Sequence, residues 1–238
     1  MADCSRTLDD VKTVLRAFKD TDPRQTKKLY DSIAETYDQD FDKLNYRAPQ
    51  LAVDFLDANF PGAREEVQVL DVACGSGLVG KLMAELGFRH FVGVDCSQGM
   101  LDQAAKTGLY QDLRLALLGS DPLPAQTGVF DVVMLVGGLG AGFAPVSVVR
   151  ELCHAAKPGG LVCMTRGDHR GSPSEHYGKD LQRELQLMED EGLWRPAGHK
   201  RTLRYMQDPY LSGEGVRDLL PEERFLSGTV YLFQKSIE

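Results

Sequence analysis

The stretch Val69-Leu70-Asp71-Val72-Ala73-Cys74-Gly75-Ser76-Gly77-Leu78-Val79-Gly80 constrains the fold more than any other part of the chain. An apolar strand-like run passes without a linker into glycines and then into helix-forming residues. Gly75, Gly77 and Gly80 satisfy G-x-G-x-x-G, and Asp95 lies twenty positions after Gly75 at the end of the next apolar run. Such an arrangement lets backbone amides approach a ligand at a helix N-terminus and sets an acid where ribose hydroxyls would lie. By itself it suits a dinucleotide as well as other adenosine ligands.

The same stretch opens an alternation of short apolar runs with helical periods, which predicts βαβ units and a parallel sheet. Strands are predicted over 67–72, 90–94, 113–118, 130–136 and 161–165, and helices over 78–86, 97–107 and 146–156. Gly87 and Gly108 stand in helix-stop positions, and Lys157-Pro158-Gly159-Gly160 turns the third helix into the next strand. Two further strands are predicted around 194–206 and 229–234, completing a doubly wound sheet. Ahead of it, residues 7–60 read as helical. Val11, Val14, Leu15 and Phe18 form one apolar stripe, Pro23 breaks the segment, and Leu29, Ile33 and Tyr37 form a second stripe. A third segment starts near Pro49 and stops at Pro61-Gly62. Past the fifth strand, a loop with Gly167, Gly171 and Pro173 precedes a helix carrying Leu181, Leu185 and Met188. Residues 207–227, with Pro209, Gly213, Gly215 and Pro221, read as a surface excursion. The expected division is a helical lid over 1–62 and a sheet domain over 63–238 with an insertion around 167–192.

At 238 residues the chain is long enough for a full core. Its 27 basic and 35 acidic side chains leave a net charge of −8, which weighs against sequence-independent nucleic-acid binding. The run His199-Lys200-Arg201-Thr202-Leu203-Arg204 is read as a solvated face. Cys4, Cys74, Cys96, Cys153 and Cys163 include no C-x-x-C pair and suggest free thiols in a reducing compartment. No apolar run approaches a membrane span, and Met1 to Arg6 lacks the apolar region of a signal peptide. The expectation is a soluble cytoplasmic monomer, with the nucleus left open.

Asp71 stands four residues before Gly75, at the tip of the first strand. A carboxylate beside the crevice repels a pyrophosphate and attracts a sulfonium and an ammonium, so the cofactor is expected to carry positive charge. No Tyr-x-x-x-Lys pair follows the sheet, which also argues against a nicotinamide oxidoreductase. The string Asp71 to Gly77 resembles the first motif of class I S-adenosylmethionine-dependent methyltransferases. Gly93-Val94-Asp95-Cys96-Ser97 with Met100 is similar to their second motif, Phe130-Asp131-Val132-Val133 to their fourth, and Lys157 to Gly160 to the turn before their fifth strand. Tyr30-Asp31-Ser32-Ile33-Ala34-Glu35-Thr36-Tyr37-Asp38 looks like the helical lid segment of the family's small-molecule branch. The resemblance implies an α/β, Rossmann-like doubly wound sheet of seven mostly parallel strands, the last antiparallel, under an N-terminal helical lid. It also implies S-adenosyl-L-methionine as cofactor and S-adenosyl-L-homocysteine as product.

On that resemblance Asp71, Ala73, Gly75, Ser76 and Gly77 are assigned to the cofactor loop, with the amides near Gly75 and Gly77 facing the methionine carboxylate. Gly80 is read as a packing residue and Cys74 as a small buried one. Asp95 is expected to accept both ribose hydroxyls, while Cys96 and Met100 border adenine; Met100 is equally readable as core. After the third strand, many relatives carry an acid for the adenine amino group. Here Gly119 holds that position and Asp121 comes two residues late, so adenine is expected on the backbone of Leu118, Gly119 and Ser120, or on Asp121.

Val136-Gly137-Gly138-Leu139-Gly140-Ala141-Gly142-Phe143 is read as the floor between cofactor and acceptor, with Val136 touching the cofactor. It contains neither acid nor His, and its four glycines suggest room or mobility. Tyr30, Tyr37 and Tyr46 are candidates to close over a sulfonium, Tyr37 foremost because it matches the lid motif. His169, His176 and Tyr177 fall in the insertion that borders the acceptor in relatives, and each is read as a surface residue. Methyl transfer from a sulfonium requires no metal, and no catalytic base is identified. The expected activity is methyl transfer to a small molecule. The alternatives are a protein side chain as acceptor, or a cofactor-binding partner protein without turnover.

Overall fold

The computed structural model describes residues 6–16, 21–211 and 218–237. Cys4, Phe18, Gly213 and Gly215 therefore lie outside the described residues. Strands β1 (Gln68–Val72), β2 (His90–Asp95), β3 (Tyr110–Leu115), β4 (Phe130–Leu135), β5 (Ala156–Gly167), β6 (Trp194–Gln207) and β7 (Phe225–Lys235) form one sheet in the order β3-β2-β1-β4-β5-β7-β6. The first five run parallel, while β7 is antiparallel to both of its neighbours.

Successive side chains of the central strands leave on opposite faces, so each strand feeds two cores. Val69, Val132, Met134 and Cys163 point to one face and Leu70, Val133, Leu135, Val162 and Met164 to the other. The first face is covered by α4 (Ala48–Asn59) and α5 (Leu78–Glu85) through Leu51, Ala52, Leu56, Val79 and Met83. The second is covered by α7 (Val148–Ala155) and α8 (Ser172–Asp190), where Trp194 stacks on Phe233 with ring centroids 4.3 Å apart. Strands buried on both faces explain the nearly continuous apolar runs. Helix α6 (Gln98–Lys106) begins with Ser97 capping the N–H of Met100.

The helical segment ahead of the sheet contains α1 (Leu8–Arg16), α2 (Pro23–Ile33) and α3 (Tyr37–Lys43). Asp22 and Gln25 close a capping box around Pro23, so the proline starts a helix where it breaks the preceding one. The single stripe expected through Leu29, Ile33 and Tyr37 is divided by a turn at 34–36, which re-aims Tyr37. The third strand also lies three residues earlier than expected. Tyr110 belongs to it because its hydroxyl donates to Asp71 at 2.7 Å and its ring occupies the space that side chains at Gly77, Gly80 and Gly93 would need. Ala116, Leu117 and Leu118 extend the apolar run past the sheet edge because they wall a cavity. Among the described residues, no helix is long and apolar enough to cross a membrane.

Candidate functional site

Chain connections leave β1 and β4 toward opposite faces, through α5 and α7, and open a crevice at the carboxyl ends of these adjacent strands. A cavity of about 870 Å³ occupies it, toward the upper part of the roughly 300–1,000 Å³ span of small-molecule sites. Its floor comes from the segments after β1 to β5. Its roof comes from α1, α2 and α3 and from the end of β6.

Of the residues assigned to a cofactor, Tyr37, Ala73, Gly75, Asp95, Cys96, Met100, Leu118 and Val136 line this one cavity. Gly75 has φ +55°, and a Cβ there would meet nothing within 4 Å, so the backbone faces open space. Its N–H donates to Asp95 at 2.9 Å, and the N–H of Ser97 donates to the other oxygen of that carboxylate at 2.9 Å. Asp95 is thereby held rigidly at the wall, and burial raises its pKa despite these donors. Burial and the neighbouring Asp95 push the Cys96 thiol up to about 12, so it is no thiolate nucleophile. Ala73 also has φ +55°, a backbone that costs an L-residue roughly 1–2 kcal/mol. Its methyl is accommodated because Gly138 opposite has none; a Cβ on Gly138 would come within 3.1 Å of it.

Four assigned residues are not on these walls. Asp71 is only 1% exposed and sits behind the loop with its carboxylate on Tyr110, its Oδ1 lacking a partner among the described residues. Burial raises its pKa to about 7, and of the two acids, Asp71 and Asp95, only Asp95 faces the cavity. Ser76 is buried with its hydroxyl donated to Asp38. Gly77, at φ +89°, packs on Tyr110 and Thr107. Gly119 borders an adjoining recess of about 340 Å³ beside Pro145 and Tyr177, which shares Leu118, Phe143 and Ala144 with the cavity. Asp121 turns its carboxylate onto the N–H of Leu117 and is absent from the cavity walls.

Two carboxylates absent from the assignments tie the roof to the floor. Asp31 accepts the Ser97 hydroxyl at 2.6 Å and the N–H of Gly99 at 3.2 Å; Asp38 accepts from Ser76 and, at 2.9 Å, from Lys81. Each follows a tyrosine, in Tyr30-Asp31 and Tyr37-Asp38, and that repeated pair was the available signal. A second set of ties joins the roof to β6: Arg47 N–H donates to Tyr205 C=O at 2.9 Å and Gln207 N–H to Leu44 C=O at 2.8 Å. Phe143, Tyr30, Tyr37, Phe41, Tyr46 and Tyr205 follow one another around the cavity, each ring within 6.2 Å of the next. The Tyr46 hydroxyl lies where a side chain on Gly137 would have to go. The Tyr205 hydroxyl pairs with Thr165 at 3.0 Å, and Thr165 accepts the N–H of Gly137 at 2.9 Å. His169, expected at the surface, is half-buried on the cavity wall, whereas His176 is exposed. The basic run lies on edge strand β6, with Arg201 paired to Asp168 and Arg204 to Glu222.

Residues 69–160 match the family described as a methyltransferase domain. The chain is 44% identical over 189 residues to human methyltransferase-like protein 27, covering 79% of this chain and 76% of that one. In fold it is similar to the [4+2]-cyclase SpnF, at TM-score 0.65 and 15% identity over 92% of this chain and 97% of the other. It is also similar to geranyl diphosphate C-methyltransferase from Streptomyces coelicolor A3(2), solved with S-adenosyl-L-homocysteine, at TM-score 0.53 and 18% identity over 78% and 76% of the two chains.

Proposed function

Because this chain belongs to the class I methyltransferase family, we propose that it uses S-adenosyl-L-methionine to methylate a small molecule inside the cavity. The observation that carries the proposal is the Gly75–Asp95 unit: an open, left-handed glycine bonded to a buried carboxylate on the wall of a cavity. The amides after β1 suit the methionine carboxylate, Asp95 suits two ribose hydroxyls, and Cys96, Met100 and Leu118 suit adenine. When bound, the cofactor supplies an electrophilic methyl carbon on a sulfonium. Tyr37 and its aromatic neighbours exclude water and favour positive charge near their faces. Orientation and desolvation then supply most of the acceleration, on the order of 7–11 kcal/mol for an aligned pair.

The roof of α1, α2 and α3 over the cavity favours a small acceptor over a protein side chain. The ion pairs of Arg201 and Arg204 disfavour nucleic acid. Cys74, Cys96, Cys153 and Cys163 are free thiols, in keeping with a reducing compartment such as the cytoplasm. We take the active form to be a monomer acting alone on its acceptor. Calorimetric titration of the purified protein with S-adenosyl-L-homocysteine is expected to give a binding isotherm that Asp95→Ala weakens. No heat of binding with either the cofactor or its product overturns the proposal. Methyl-labelled cofactor offered to fractionated metabolites and to protein extract then separates the acceptors: label on a metabolite supports the small-molecule reading, and label on a peptide replaces it.

A further inference from the structure

Beyond the aromatic arc, the walls of the cavity carry charge at Asp95 and Arg170 alone among the described residues. Arg170 already faces buried Asp208 at 3.0 Å. A cationic acceptor would find no unengaged acid there and an anionic one no unengaged base, which favours a neutral, planar acceptor against aromatic walls. At this end stands His169. Gly167 has no side chain, and the His169 ring and the Tyr205 ring close over it; a Cβ there would lie 3.2 Å from His169 Nε2 and 2.9 Å from Tyr205. Tyr205 leads to Tyr46 with ring centroids 5.9 Å apart, and Tyr46 leads to the backbone of Gly137 at the tip of β4. Neither nitrogen of His169 has a hydrogen-bond partner among the described residues, whereas the Tyr205 hydroxyl is engaged by Thr165 and Tyr46.

We infer that His169 is the general base of the reaction and that the acceptor is a neutral phenolic or enolic hydroxyl compound. The inference rests on the cofactor reading above. The acceptor oxygen forms a bond to the methyl carbon as the carbon–sulfur bond breaks, and sulfur keeps the electron pair as a neutral thioether. The hydroxyl proton passes to a ring nitrogen of His169, and the imidazolium then releases it to water. Arg166 from β5 faces the imidazole, as do Asp168 and Asp208; burial and Arg166 outweigh the two acids and hold its pKa below the ordinary 6.5. The resting base is therefore neutral. A phenol, titrating at about 10, is within reach of such a base, while an aliphatic alcohol is not.

The test uses the full chain saturated with S-adenosyl-L-homocysteine and three para-fluorinated probes of similar shape: fluorophenol, fluorobenzylamine and fluorobenzoate. Fluorine NMR is expected to show fluorophenol binding in preference to the amine and the acid. Nitrogen NMR of ring-labelled protein is expected to show one imidazole titrating below 6.5 and shifting when fluorophenol is added. His169→Asn or His169→Gln is expected to keep S-adenosyl-L-homocysteine affinity within about twofold while fluorophenol methylation falls by about a hundredfold or more. Preference for the amine or the acid, binding of none of the three, or an unchanged pH–rate profile in both variants overturns the inference with the cofactor reading intact. Absence of S-adenosyl-L-homocysteine binding by the unaltered protein overturns both.

Discussion

Where β1 and β2 end, the cavity is bounded by backbone and one carboxylate; where β6 meets the roof, it is bounded by tyrosines and a histidine. The first boundary draws on residues 73–97 and is held by bonds within that span, such as Gly75 to Asp95. The second joins residues 30–46, 137–143, 169 and 205, and its parts meet only because separate ties bring the roof down onto α6, α5 and β6. Burial differs as well. Two carboxylates, Asp71 and Asp95, are enclosed at the first end, while the second encloses neutral rings. On the proposed reading, the cofactor is met by backbone geometry set within one stretch of chain, and the acceptor by side chains brought together from distant segments.

The largest expected effect tests whether pH sensitivity belongs to the first end. Asp71 has an ordinary pKa of 3.8 and a folded value of about 7, so the folded state binds more protons between those limits. Stability from this group is present below about pH 4 and is lost as pH rises to about 7, on the order of 1 kcal/mol per pH unit. Urea unfolding of the parent and Asp71→Asn across that window should show the parent losing ground steadily as pH rises. Parallel curves would break the contrast. Next in size, Asp95→Ala removes the acceptor of two backbone donors and a predicted ribose contact. Affinity for S-adenosyl-L-homocysteine by calorimetry should fall about tenfold to a hundredfold.

At the second end, Gly137→Ala forces a left-handed alanine at φ +76° against the Tyr46 hydroxyl. A stability loss of about 1–2 kcal/mol is expected from the backbone alone, and the tyrosine fluorescence of the folded protein should change as Tyr46 is displaced. The smallest effect is expected at Asp38, whose ion pair with Lys81 leaves both side chains 42% exposed. Asp38→Asn should cost under about 1 kcal/mol in urea unfolding, yet hydrogen exchange in α3 should quicken because the Ser76 tie is weakened as well. Equal protection of α3 in the two proteins would show that the ties from Leu44 and Arg47 to β6 suffice.

The sheet and the first end were legible because their signals are local. Strands buried on both faces print apolar runs, and the Gly75-to-Asp95 spacing spans one βαβ unit. The three-residue displacement of β3 was not legible, since Tyr110 earns its place through Asp71, a contact between residues 39 positions apart. Asp71, Ser76 and Gly77 match a motif whose members serve different ends, some facing the cavity and some packing the loop from behind. Spacing alone does not separate the two. Tyr205 gave no local sign, and His169, which the resemblance sets in the segment bordering the acceptor, reads as a surface residue, because a tyrosine in a polar strand and a histidine in a loop acquire their positions from contacts across the whole chain.

The place of β7 has a bearing on the order in which the molecule is completed during synthesis. Strand β6 borders only β7, so until residues 225–235 have emerged from the ribosome nothing in the sheet holds β6. Tyr205, Met206 and the backbone bonds to Leu44 and Arg47 all depend on β6. A nascent chain can therefore close the Gly75–Asp95 loop while most of the polypeptide is still being made, but the tyrosine-lined end of its cavity forms only after translation has passed the last strand.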